Sequence, residues 1–301
     1  MIEPDEAMDI IHARFGAHPR HRALHAKGSW LEGTWTAAPA AANLSRAAHL
    51  QGQPVPVLAR FSNGAGNPEL PDYAPDVRGL AVSFTLPDGS KTDMVAQSVP
   101  KFFSPTADNF LNFIKANTGK SAALKMPAFL AANPHAIPSL PANAAALKPL
   151  ASYAESRYFG VHAFRWVDPM GTSRAVRWTW IPQAGETRIG GRAAKALGRD
   201  YLQEEIAKRA AVDGIRMDLE VTIAAPGDPT DDPSKHWPKG RDTIIAGTLE
   251  LTKAVPDPET GGHIVVFDPT RMTDGIELSD DAMLAYRARA YSASAGLRLK
   301  D

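Results

Sequence analysis

Residues 215–223 read IRMDLEVTI, and they alternate without a break. Ile215, Met217, Leu219, Val221 and Ile223 fall on one side of an extended chain, with Arg216, Asp218, Glu220 and Thr222 on the other. Successive side chains of a strand point to opposite faces, so this stretch predicts a half-buried strand. The pattern recurs at 174–181, where Val176, Trp178 and Trp180 oppose Arg177 and Thr179. Similar segments lie at 55–62 (VPVLARFS), 76–86 (DVRGLAVSFTL), 92–98 (TDMVAQS), 161–167 (VHAFRWV) and 243–252 (TIIAGTLELT). Turn residues such as Pro87-Asp88-Gly89 and Asp168-Pro169-Met170-Gly171 separate them. Strands of this number and kind predict an antiparallel barrel or strongly curled sheet.

Helical patterns fall outside that set, at 4–15, 106–117, 120–156 (broken by prolines), 192–211 and 279–294. The class is therefore α+β. The 25 prolines gather in connecting segments such as 126–149 and 226–238. No repeat, low-complexity linker or composition break divides the chain, so residues 1–301 read as a single domain. A hydrophobic fraction of 44% over 301 residues is ample for a large shared core. The Ala/Pro-rich stretch 121–156 reads as an ordinary packed irregular segment, with a partner surface as the alternative.

Charge is balanced at 33 basic and 33 acidic residues, which gives no reason to expect nucleic acid or a membrane as partner. The N-terminal MIEPDEAMDIIHARFG lacks the basic and apolar regions of a secretion signal, so a cytoplasmic location is the default expectation. Cysteine is absent. That excludes disulfides, zinc–thiolate sites, iron–sulfur clusters, thiolate haem ligands and covalent haem attachment through CxxCH. Residues 59–68 (ARFSNGAGNP) are glycine-rich but lack the ending of a phosphate loop, and DPTDD at 228–232 is too short for a calcium loop.

The most chemically suggestive segment is 279–298, SDDAMLAYRARAYSASAGLR. Ser279 is placed to cap a helix, with Asp280 and Asp281 in its first turn, where the dipole favours negative charge. Helical spacing then puts Arg287, Tyr291 and Arg298 on one face. A free tyrosine titrates near ~10, while a nearby cation and a bound ferric ion both favour the phenolate. Arg beside Tyr is thus suited to prepare an anionic oxygen ligand for haem iron. By spacing alone a surface stacking pair is the favoured reading.

The rest of the chain bears on that choice. Residues 22–28 (RALHAKG), 60–63 (RFSN), 75–86 (PDVRGLAVSFTL), 93–103 (DMVAQSVPKFF), 160–164 (GVHAF) and 279–298 follow the order and spacing of the haem catalase core. DPTDDPSKHWPKG (228–240) is similar to that family's segment before its last barrel strand. The chain resembles the haem catalase superfamily, most nearly its small catalase-related peroxidases. The resemblance implies a catalase-like eight-stranded antiparallel β-barrel with surrounding helices, lacking the long N-terminal arm and C-terminal helical region. It also implies noncovalent haem b, a peroxide substrate (hydrogen peroxide or an organic hydroperoxide), a small organic reductant, and a homodimer.

Residue by residue, His25 matches the distal catalytic histidine and Ser62 the serine that fixes its tautomer. Histidine suits peroxide heterolysis because its pKa of about 6.5 lets it take and return a proton near neutrality. Tyr291 matches the axial ligand of the haem iron, with Arg287, His162 and Asp281 as the relay behind it. Arg22, Arg60 and Arg298 match the residues that hold the haem propionates, whose charges need partners in an apolar pocket. Phe110 matches an aromatic packed over the porphyrin. Asp76 matches a channel acid, although Asp76-Val77-Arg78-Gly79 could equally anchor a turn. Three rival readings remain: a true catalase, a fatty-acid hydroperoxide isomerase of the allene oxide synthase type, and a haem carrier or sensor with no use for His25 and Ser62.

The departure from the family is Gln97, where catalases carry asparagine in a DLVGNN-like stretch that here reads DMVAQS. The extra methylene moves the amide by roughly an ångström, and a misplacement of that size costs about a hundredfold in a positioned reaction. Dismutation, which must hold a second peroxide, suffers most; oxidation of an outside reductant survives. Gln97→Asn is therefore expected to increase oxygen release from hydrogen peroxide at unchanged haem loading, measured with an oxygen electrode. Unchanged release would remove this role from Gln97.

Overall fold

The computed structural model describes residues 1–300. Its ten strands are β1 (Gly28–Ala37), β2 (Val55–Asn63), β3 (Arg78–Thr85), β4 (Lys91–Gln97), β5 (Tyr158–Phe159), β6 (Phe164–Val167), β7 (Ser173–Pro182), β8 (Ile215–Ile223), β9 (Thr243–Val255) and β10 (Ile276–Leu278). Antiparallel pairing runs β1-β2-β3-β4-β5-β7-β8-β9, and β9 returns to β1. The result is a closed barrel of eight strands. Closure removes the unpaired edges that an open sheet of this size would expose. β6 pairs with β7 beyond β5 and carries β10 on its outer edge.

The helices are α1 (Pro4–Phe15), α2 (Pro39–Ala42), α3 (Ala107–Ala116), α4 (Ala122–Ala132), α5 (Leu140–Ala146), α6 (Gly191–Ala196), α7 (Tyr201–Val212) and α8 (Ala282–Lys300). α1 packs against α3 and α8. Ala7, Met8, Ile10, Ile11, Leu111, Ile114 and Tyr286 form the core of that helical layer, separate from the barrel core. In the barrel core, Trp35 meets Phe84 and Trp180 edge-on, with ring centroids 5.8 and 5.6 Å apart. Fully burying apolar side chains of this kind contributes roughly 1.5–3 kcal/mol each.

All the expected strands are present, with shifted ends. The sequence reading passed over β1, because Trp30 and Leu31 are both buried and break the alternation. The cause is a register shift between Glu32 and Gly33 against β9. Gly33 allows it: a Cβ there would sit 1.9 Å from the Glu250 carbonyl oxygen. The expected strand 161–167 starts only at Phe164, leaving residues 160–163 as a break between β5 and β6. His162 therefore does not share a strand face with Phe164 and Trp166. The expected helix 192–211 divides at Gly198, whose φ of 107° suits glycine. The terminal helix begins at Ala282 rather than 279, and its cap is Asp281, not Ser279.

Alternation also fails where β2 and β3 reach the helical layer. Ala59 to Asn63 and Arg78 to Leu80 are buried throughout, because the barrel covers one face and other elements cover the second. Among the described residues, no helix is long and apolar enough to cross a membrane.

One buried residue makes the fold sensitive to acid. His49 has no solvent exposure, and neither ring nitrogen has a hydrogen-bond partner. Its ring lies 4.9 Å from Phe84, and burial pushes its pKa down to about 4. The unfolded chain takes up that proton near 6.5, before the folded chain does. His49 therefore costs stability as pH falls from 6.5 towards 4, by about 1.4 kcal/mol per unit. Replacing it by Phe should flatten this part of the profile, measured by urea denaturation at pH 7 and 4.5. An identical loss of stability in both proteins would refute the assignment.

Candidate active site

The site residues come from both layers. His25 lies in the loop between α1 and β1, and its φ of 57° is left-handed, uncommon for a residue with a side chain. Its N–H donates to the Gly64 carbonyl at 2.9 Å. Arg60 donates to the carbonyls of His25 at 2.9 Å and Ala26 at 3.1 Å. These contacts over-determine the strained backbone, the condition under which such strain persists. His25 Nδ1 lies 2.9 Å from Ser62 Oγ, which leaves Nε2 for a ligand. Burial, and then the charges of Arg60, Arg287 and Arg22, push the His25 pKa down to about 3. The imidazole is neutral at physiological pH, so Nε2 can accept a proton when Nδ1–H donates to Ser62.

Gly79 and Gln97 complete this wall. They pair across β3 and β4. A Cβ on Gly79 would stand 2.8 Å from His25 Nδ1 and Cε1 and from Ser62 Oγ, so only glycine lets the pair seat. The sequence reading did not single out Gly79, although an isolated glycine inside a strand pattern is a signal of close approach. Gln97 is half-buried, and its Nε2 has no hydrogen-bond partner. Asp76 accepts from the backbone N–H of Ala65 and Val77 at 2.9 and 2.8 Å, the contacts of a turn anchor. Burial raises its pKa.

The second wall is α8. Arg287 donates to Tyr291 Oη at 2.5 Å. His162, in the break between β5 and β6, donates from Nδ1 to Asp281 Oδ2 at 2.6 Å. Burial outweighs Asp281 and holds the His162 pKa down at about 4, so the ring is neutral. Asp281 Oδ1 accepts from the N–H groups of Met283 and Leu284, capping α8.

Leu24, Phe110, Phe113, Ala290 and Ala293 are only partly buried against the helical core. Phe102 and Phe103 extend this apolar surface, with centroids 6.0 and 6.2 Å from Phe110. Arg22 grips Glu259 with two contacts of 2.8 and 3.2 Å, and Arg298 lies 3.7 Å from the same carboxylate. Arg22 and Arg60 both stack on Trp30. The buried Nε atoms of Arg60 and Arg298 have no partner. Burial pushes Arg60 down to about 9 and Arg22 to about 10, so both stay cationic at neutral pH. Glu259, a loop residue with no motif to announce it, was missed by the sequence reading.

A phenol oxygen, a neutral imidazole, half-buried apolar side chains and a group of guanidiniums suit an iron porphyrin with two carboxylates. Oxygen and nitrogen donors suit the metal, and the cationic group suits the propionates.

The chain belongs to the catalase family, whose family model, described as catalase, matches residues 17–300. Within it, the chain is 45% identical to a catalase-related peroxidase of Mycolicibacterium paratuberculosis, over 99% of this chain and 95% of that one. It is 34% identical to a catalase-related peroxidase of Synechococcus elongatus, over 99% and 89%. A fungal catalase superposes with a TM-score of 0.82 at 22% identity, covering 93% of this chain and 60% of that one. A bacterial catalase gives 0.81 at 24%, covering 93% and 57%. The fold expected from the resemblance is thus the fold found. The chain spans only about 60% of the length of those two solved catalases. Membership implies haem, with a peroxide as substrate and a reductant to match.

Gly79→Ala should separate positioning from folding. Displacing His25 and Ser62 by a few tenths of an ångström or more is expected to lower peroxide turnover about a hundredfold while haem still binds. Stopped-flow kinetics and the haem spectrum check this together; full turnover would mean the pair relaxes freely.

Proposed function

We propose that this chain is a haem b peroxidase that reduces hydrogen peroxide or organic hydroperoxides with electrons from a small organic donor, with weak or no catalase activity. The observation that carries the reading is the presence of two hydrogen-bonded pairs, His25–Ser62 and Arg287–Tyr291, near enough for the Arg287 charge to act on His25. The names of the two similar catalase-related peroxidases support the same activity.

Bound haem would supply the two-electron reduction of the peroxide O–O bond. Tyr291 Oη would be its axial ligand, and the Arg287 donor stabilises negative charge on that oxygen. Arg22 and Arg298 would take the propionates. Arg60 holds the His25 loop by its two terminal nitrogens, so its own share in propionate binding is through charge and the free Nε. Phe110 and Leu24, half-buried against the helical core, would keep water from the bound haem.

His25 Nε2 would take the proton of the peroxide O–H and return it to the departing oxygen. With two electrons and two protons from the organic donor, hydrogen peroxide would end as two waters, and an organic hydroperoxide as its alcohol and one water. A neutral imidazole is the form this needs at the start, and the low pKa of His25 provides it. Ser62 keeps the proton on Nδ1. Gln97 aims its unpaired amide from the neighbouring strand, with a longer reach than asparagine has.

Two substitutions test the halves separately. His25→Ala is expected to reduce peroxide turnover by about a hundredfold or more while haem remains bound. Tyr291→Phe is expected to abolish the charge-transfer bands of a ferric phenolate and weaken haem retention, measured by absorption spectroscopy after gel filtration. Turnover indifferent to His25, or a spectrum indifferent to Tyr291, would end this reading.

A further inference from the structure

Between Asp108 and Glu155 the chain carries no carboxylate, against four lysines. This stretch builds α4, α5 and the turn between them, and its outward side is apolar. Leu124 is 81% exposed, Ile137 49% and Leu140 39%. On α4 the buried residue is Phe129, held against Phe113 with centroids 5.7 Å apart. Helical spacing puts Leu124, Pro127 and Ala131 on the opposite side, and all three are exposed. An ordinary surface helix carries its polar residues there.

Four lysines share this stretch with the exposed apolar residues. Lys115 is paired with Glu6 at 3.5 Å. Lys120, Lys125 and Lys148 are exposed, and among the described residues none has a carboxylate within 4 Å. Bordering acids are matched as well, Asp108 by the N-terminal ammonium at 3.5 Å and Asp232 by Lys235 at 3.7 Å. The chain as a whole is neutral, so this one face concentrates unbalanced positive charge around exposed apolar side chains.

We propose that this face docks the protein onto an anionic lipid surface. Leu124, Ile137 and Leu140 would enter the headgroup boundary, while Lys120, Lys125 and Lys148 stay at the anionic headgroups. Apolar insertion with lysines alongside is the chemistry of interfacial binding, and each lysine near an anionic leaflet is worth about fivefold in partitioning. A second copy of this chain is the poorer occupant, since a two-fold contact through this face would set lysines against lysines. The proposal stands apart from the peroxidase reading, because it is scored without peroxide.

The test is sedimentation of the holoenzyme with vesicles of phosphatidylcholine, with and without phosphatidylglycerol. Binding is expected only to the anionic vesicles, and it should weaken as salt rises. Leu124→Glu should reduce it about tenfold or more. The double variant Lys120→Gln, Lys125→Gln should reduce it about twentyfold. Both sets of side chains are exposed, so circular dichroism should be unchanged. Failure to bind either vesicle, or equal binding to both, would overturn the proposal. So would light scattering that shows Leu124→Glu splitting a dimer while vesicle binding is unaffected.

Discussion

One carboxylate sets the geometry of the proximal side. Asp281 faces two ways, capping α8 through Oδ1 and holding His162 through Oδ2. The first contact fixes where the helix starts, and so the phase at which Arg287 and Tyr291 leave it. The second ties that helix to the barrel at the break between β5 and β6. Because His162 is buried and neutral, its bond to Asp281 is directional rather than a loose attraction between charges. A helix held at its first turn in this way presents its next two turns in a defined orientation.

The distal side is built on a different constraint, a backbone in a conformation that costs energy. His25 is left-handed and kept so by Gly64 and Arg60. Glycines then make room: Gly79 for the imidazole and Ser62, Gly28 for the Arg60 guanidinium. A Cβ on Gly28 would stand 2.7 Å from the guanidinium carbon. The closing glycine of RALHAKG thus serves the arginine that braces the histidine three residues before it.

Electrostatics bind the two sides into one site. Burial first, and then the charges of Arg60, Arg287 and Arg22, keep His25 unprotonated. Glu259 offsets part of this positive charge where Arg22 and Arg298 meet it. Low local dielectric strengthens each of these effects, and it makes an unpaired guanidinium nitrogen costly. The Nε atoms of Arg60 and Arg298 are left without a partner, and an anionic carboxylate would satisfy them.

The sequence by itself determined the alternating strands, the antiparallel class, and which residue types stand four apart on the last helix. Period-two patterning and helical spacing are local properties, so IRMDLEVTI and RARAY could be read without a partner in view. The resemblance then supplied roles for His25, Ser62 and Tyr291, and the structure pairs His25 with Ser62, Arg287 with Tyr291 and His162 with Asp281. What local pattern could not show was set by long-range contact. β1 escaped because its bulge against β9 breaks the alternation, and Ser279 looked like a cap because nothing nearby marked Asp281 as doubly engaged. Gly79, Glu259 and the backbone role of Arg60 depend on neighbours far away in the chain. Only tertiary structure decided these, because a close approach or a shared carboxylate is a property of two segments at once.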